Sequence, residues 1–123
     1  MAAQSRKIIV GFDGSQAAVR ALEAAVQLTG YGSSLTVVNV AESGERPGPA
    51  LADARARVRS RHVTATYVQR LGDPAGELLD AAREVEAGLV VVGRRAERLT
   101  RQPPGSVSAT IVQRAPCDVL VVS

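Results

Sequence analysis

Short aliphatic and β-branched runs alternate along this chain with longer alanine-rich stretches whose apolar positions recur every three or four residues. A chain that keeps switching between strand-like and helical patterning buries both kinds of element by building βαβ units on a parallel sheet covered by helices. Lys7 to Phe12 reads as the first strand, Leu35 to Val40 as the second and Val63 to Gln69 as the third. Leu89 to Val92 reads as the fourth and Val119 to Val122 as the fifth. The second run is broken only by Asn39, as expected of a strand covered on both faces.

Helix signals fall in the gaps. Ser15 can cap a helix with the stripe Ala18, Ala21, Leu22, Ala25 and Val26, whose end is marked by Gly30 and Gly32. Residues 41–49, with Gly44, Pro47, Gly48 and Pro49, read as an irregular connection. Ala50 to His62 follows, with Leu51, Ala54 and Val58 on one stripe. The alternation of Arg55, Arg57, Arg59 and Arg61 also fits a strand, but the propensities of Ala and Arg favour a helix. Asp73 and Pro74 supply a cap and a first-turn proline for a helix with the stripe Leu78, Leu79, Ala82 and Val85. Ser106 to Arg114 reads as the last helix.

The 123 residues amount to one domain spanning the whole chain. Five strands joined by four helices imply a three-layer, doubly wound parallel sheet. Right-handed crossovers require the chain to reverse once to cover both faces. With the first three strands winding outward and the fourth returning beside the first, the order is 3-2-1-4-5. The reversal then opens a crevice between the carboxyl ends of strands one and four, flanked by Asp13 and Gly93, where such sheets bind ligands.

Composition excludes several classes of function. The aromatics are Phe12, Tyr31 and Tyr67 alone, so nucleic-acid binding by stacked bases is not expected. No stretch approaches the ~18 apolar residues of a membrane helix, and Met1 to Lys7 has no apolar core of a signal peptide, so the expectation is a cytosolic protein. Cys117, the single cysteine, excludes an internal disulfide and reads as a buried, inert thiol. His62, the single histidine, reads as a surface residue. The net charge of +3 is concentrated at the fourth strand's exit: Arg94, Arg95, Arg98, Arg101 and Arg114 stand against Glu97. A glycine-punctuated loop entering a helix there can offer backbone N–H groups to an anion.

Several landmarks recur in order over nearly the whole chain. They are Ile8-Ile9-Val10-Gly11-Phe12-Asp13-Gly14-Ser15, Leu35-Thr36-Val37-Val38-Asn39-Val40, Gly72-Asp73-Pro74-Ala75 and Leu89-Val90-Val91-Val92-Gly93. Gly105-Ser106-Val107-Ser108 and Arg114-Ala115-Pro116-Cys117-Asp118-Val119-Leu120-Val121-Val122 complete the set. Together they resemble the universal stress protein family. The resemblance implies a Rossmann-like fold of the adenine nucleotide alpha hydrolase-like kind with the order 3-2-1-4-5. It also implies a cytosolic stress-response protein, commonly a homodimer through its last strand, and in one branch of the family ATP in the crevice, with magnesium as a possible companion.

That branch carries Gly-x2-Gly-x9-Gly-Ser/Thr, whereas this chain has Gly93-x2-Ala96-x8-Gly105-Ser106. Alanine at the second position costs about 1–2 kcal/mol if positive φ is needed there. The missing residue removes up to about 3.3–3.6 Å of reach, several times the scatter that hydrogen-bond distances tolerate. Pro103 and Pro104 remove two further N–H donors. Arg94, Arg95, Arg98 and Arg101 can replace the lost charge by bidentate side-chain contact with phosphate, or can simply solubilise the loop. Asp13 matches the family position that contacts the ribose or the phosphate-bound metal, and Asp-Gly-Ser is also an ordinary strand-to-helix turn. Val40 matches the position whose main chain reads the adenine edge, and Gly88 stands where the family usually has an acid.

The candidate ligand residues are therefore Asp13, Val40, Gly93, Arg94, Ala96, Gly105 and Ser106, with no catalytic set and no metal site. A Walker lysine motif and Gly-x-Gly-x-x-Gly are both absent. A receiver domain is excluded because Val68-Gln69-Arg70 and Val122-Ser123 lack its acid and lysine. The reading favoured is a non-enzymatic stress-response protein that binds ATP or another phosphorylated ligand weakly or in an altered way. A ligand-free dimeric interaction module and a weak ATP hydrolase are the alternatives.

Overall fold

The computed structural model describes residues 6–30, 32–42, 49–94 and 105–123. Nine elements follow one another: β1 (Lys7–Gly11), α1 (Gln16–Leu28), β2 (Ser34–Ala41), α2 (Pro49–Arg59), β3 (Ala65–Leu71), α3 (Pro74–Val85), β4 (Leu89–Gly93), α4 (Ser106–Arg114) and β5 (Asp118–Val122). All neighbouring strands pair in parallel, in the order β3-β2-β1-β4-β5. The expected doubly wound sheet is therefore the one that forms.

The two faces hold separate cores because alternate residues of a strand point to opposite sides. Ile8, Val10, Leu35, Val37, Leu89 and Val91 pack under α1 and α2 with Ala21, Leu22, Ala54 and Val58. On the other face Ile9, Val38, Val90 and Val92 meet Leu78, Leu79, Ala82 and Ile111 of α3 and α4. The central strands are buried on both sides, which explains why they read as unbroken apolar runs.

Local capping chemistry sets the helix starts. Ser15 Oγ accepts from the Ala18 N–H at 3.1 Å and Asp73 Oδ2 from the Gly76 N–H at 2.9 Å. Helix α1 stops at Leu28, just before the glycines expected to mark its end, with the Thr29 hydroxyl donating to the Ala25 carbonyl at 2.7 Å. Helix α3 closes on Glu86 in the left-handed region, φ 55°, with the Ala87 N–H returning to the Ala82 carbonyl at 2.9 Å. Gly88 plays no part in that closure; its N–H donates to Lys7 O at 2.8 Å and ties the helix exit to β1.

Three expectations need correction. The second helix is Pro49–Arg59 rather than Ala50 to His62, because His62 takes a positive φ of 58° that no helix accommodates. The third strand begins at Ala65 instead of Val63 and runs on to Leu71, held in register with β2 from Leu35↔Ala65 to Ala41↔Leu71. Cys117 is half-buried rather than buried, beside the start of the edge strand β5. Burial and, second, Asp118 push its thiol above the ordinary value, so it stays protonated at neutral pH. Among the described residues no helix is long and apolar enough to cross a membrane.

Candidate functional site

The crevice lies where the direction of winding reverses, at the carboxyl ends of β1 and β4, with α1 and α2 on one face of the sheet and α3 and α4 on the other. It holds about 630 Å³ of unfilled space, part of it open to solvent. Phe12, Val38, Val40, Leu78, Val92 and Val107 give it an apolar lining, and Asp13, Ser15 and Glu42 are the polar side chains that join them. Among the described residues no lysine, arginine or histidine lines it.

Asp13 stands on an exposed turn after β1 and its Oδ1 accepts from the Ser15 N–H at 2.9 Å. The turn role is thus real, and it holds the carboxylate at the crevice edge. Gly14, φ 86°, supplies the left-handed residue that lets the chain enter α1 immediately afterwards. A polar chain fixes the strand ends behind the crevice: Asn39 Nδ2 donates to the Phe12 carbonyl at 2.8 Å, and Gln69 Nε2 donates to Asn39 Oδ1 at 2.8 Å. Asn39, the one polar interruption in β2, thereby locks β1's exit to β2 and β3.

Gly93 also lines the crevice, for a reason the loop pattern does not reveal. A Cβ there would stand 2.5 Å from the backbone carbonyl carbon and oxygen of Ala17, so the glycine is required for α1 to lie against β4. Arg94 leaves the sheet with its N–H bonded to Val122 O at 2.8 Å, and its side chain is exposed. That side chain passes beside the start of α4, with Nε 3.7 Å from where a Cβ on Gly105 would be. Gly105 precedes α4 with φ 79° and no side-chain cap, so a guanidinium and a helix amino end share one location. Ser106 begins α4, and its carbonyl accepts from the Thr110 hydroxyl at 3.0 Å. Ala96 lies outside the described residues, as do Arg95, Arg98, Arg101, Pro103 and Pro104.

The structure therefore gathers Asp13, Val40 and Gly93 around one crevice, with Arg94, Gly105 and Ser106 at the amino end of α4, whose Val107 belongs to the lining. Sequence reasoning missed Glu42, which stands on the same wall as Val38 and Val40. The two-residue period of β2 continued one step past Val40 is the signal that points to it.

Comparison with known proteins agrees with this architecture. The model of the universal stress protein family matches residues 4–59 and 50–123. Universal stress protein YxiE of Bacillus subtilis is 28% identical over 144 residues, covering 94% of this chain and 97% of its own. Among solved structures, a universal stress protein in complex with cAMP superposes with a TM-score of 0.77 at 26% identity, covering 96% of this chain and 97% of that one. A universal stress family protein from Burkholderia pseudomallei gives a TM-score of 0.72 at 30% identity, with 95% of each chain covered.

Proposed function

The chain belongs to the universal stress protein family, and on that premise we propose that it is a stress-response binding protein of the cytoplasm whose crevice takes an adenine nucleotide with an altered phosphate grip. The observation that carries this reading is the pairing of an apolar slot, edged by the Asp13 carboxylate, with an amino helix end flanked by Arg94. The slot suits a base, Asp13 a ribose hydroxyl, and the α4 entrance with Gly105, Ser106 and Arg94 a phosphate. The cAMP complex of a similar protein supports a small phosphorylated adenosine as the ligand.

The altered grip rests on the Gly93 to Gly105 spacing. Ala96 and a loop one residue short would misplace backbone donors for a triphosphate, whereas a single phosphate needs only the α4 end and Arg94. Magnesium would enter with the phosphates; among the described residues no three His, Cys, Asp or Glu side chains gather to hold a metal by themselves. Among the described residues the lining presents Asp13, Ser15 and Glu42 with no lysine, arginine or histidine beside them, which favours binding over hydrolysis.

Thermal melting with ATP, ADP, AMP and cAMP, each with and without magnesium, tests the reading, since a ligand stabilises by RT ln(1 + [L]/Kd). AMP or cAMP raises the melting temperature, and millimolar ATP raises it little. Replacing Ala96→Gly and inserting one residue before Pro103 strengthens the response to ATP. Silence toward every nucleotide overturns the site, and a shift of many degrees with ATP that Asp13→Ala abolishes overturns the altered grip.

A second activity is favoured by β5, an edge strand whose Val119, Leu120, Val121 and Val122 are only partly buried. Such an edge offers unpaired backbone groups to another strand, so we read it as a homodimer surface.

A further inference from the structure

Glu42 follows β2 directly, on the crevice wall that Val38 and Val40 begin. Its Oε1 is sealed from solvent and has no hydrogen-bond partner. A carboxylate oxygen removed from water with no donor to replace it carries an uncompensated desolvation cost. Among the described lining residues no cation relieves it, and Asp13, the other carboxylate there, is itself an acceptor that already takes the Ser15 N–H. What this wall lacks is a donor, and the unfilled space beside it is apolar. The last torsion of a glutamate side chain is soft, so turning the oxygen toward an arriving N–H costs little.

We propose that Glu42 makes the crevice selective for 6-amino purines: its carboxylate accepts a hydrogen bond from the 6-amine and repels the carbonyl oxygen of a 6-oxo purine. The inference rests on the nucleotide reading above and names which base that site prefers. A flat ring system fits the slot formed by Val38, Val40 and Leu78, and an amine at its edge supplies the donor that Oε1 is missing. A hydroxyl-rich ligand without a ring would satisfy the carboxylate but leave the aliphatic walls uncovered.

AMP and IMP differ at the purine 6-position, amine against carbonyl, and in the N1 proton that accompanies the carbonyl; they serve as the probes, titrated calorimetrically into the full chain and into Glu42→Gln and Glu42→Ala. The native chain prefers AMP by about tenfold to a hundredfold, the range for a hydrogen bond to a charged group. In Glu42→Gln the preference shrinks to about threefold or less, because an amide donates to a carbonyl as readily as it accepts from an amine. Glu42→Ala shrinks it by weakening AMP. Without ligand Glu42→Ala melts at or above the native temperature, since it removes the unpartnered oxygen, and Glu42→Gln, which keeps a polar atom there, melts close to the native chain. An equal affinity of the native chain for AMP and IMP, or a preference that survives in both variants, overturns the role of Glu42 while leaving the nucleotide site standing. Absence of binding by either probe overturns both.

Discussion

A methyl group added at Gly93 would collide with the backbone of Ala17, 2.5 Å from its carbonyl carbon and oxygen, and a backbone cannot step aside as a side-chain tip can. One at Gly105 would meet nothing nearer than Arg94 Nε at 3.7 Å and suffers only from the positive φ of 79°. The two glycines look alike in the motif but answer different demands. Gly93→Ala should therefore lower stability by about 3 kcal/mol, the upper part of the usual range for overpacking. Gly105→Ala should cost about 1–2 kcal/mol, the price of a left-handed alanine. Urea denaturation of both variants without ligand checks the order; a smaller loss at Gly93 would show that α1 moves away freely. At Asp13 two roles that the sequence left side by side prove compatible, since the turn bond to Ser15 also holds the carboxylate at the crevice.

Between elements, the edge strand β3 is tied to α3 by one arginine. Arg70 donates through Nε to Glu77 at 2.9 Å and through its two terminal nitrogens to Glu84, each at 3.0 Å. The hydrogen bond from Arg70, then its charge, holds the Glu84 carboxyl below its ordinary value of 4.5. A depressed carboxylate adds stability above its unfolded value and loses it as pH falls through the lowered folded value. Native protein and Glu84→Gln should thus differ in urea midpoint at pH 7, and the gap should close progressively below pH 4.5. Glu84 is exposed, so the gap is small; a gap that persists unchanged in acid would refute the assignment. The arginine alternation of α2 and the turn after it finds comparable local uses: Arg57 pairs with Asp53, Arg61 with Glu23, and Arg55 lies 4.3 Å from the centre of the Tyr67 ring. Its strand-like period was an accident of these separate partners.

For the molecule as a whole, the sheet ends in two unlike edges. Strand β3 carries Gln69 and Arg70, both engaged in side-chain hydrogen bonds, and ends on the exposed Leu71, whereas β5 carries four aliphatic residues in succession. Association through β5 predicts sedimentation at twice the chain mass of 12.8 kDa. Val121→Lys, a charge placed on that edge, should shift the population to monomer with nucleotide response intact. A native chain that sediments as a monomer at tens of micromolar would refute the surface. Parallel strands, right-handed crossovers and one reversal leave few strand orders open; the family resemblance implies one of them, 3-2-1-4-5, and that is the order that forms.

What the sequence determined by itself was local or topological. Ser15 and Asp73 start their helices by bonding N–H groups three residues on, the stripes of α1 and α3 recur every turn, and the unbroken runs of β2 and β4 demand cover on both faces. Each of these signals is carried by residues within a few positions of one another, so it survives in a linear reading. Tertiary structure alone decided that Gly93 must yield to Ala17, that Arg70 would find Glu84, that Asn39 would reach Phe12, and that Glu42 would line the crevice with one oxygen left unpartnered. Those contacts join residues far apart in the chain, and their energies depend on separations of a few tenths of an ångström that only packing sets.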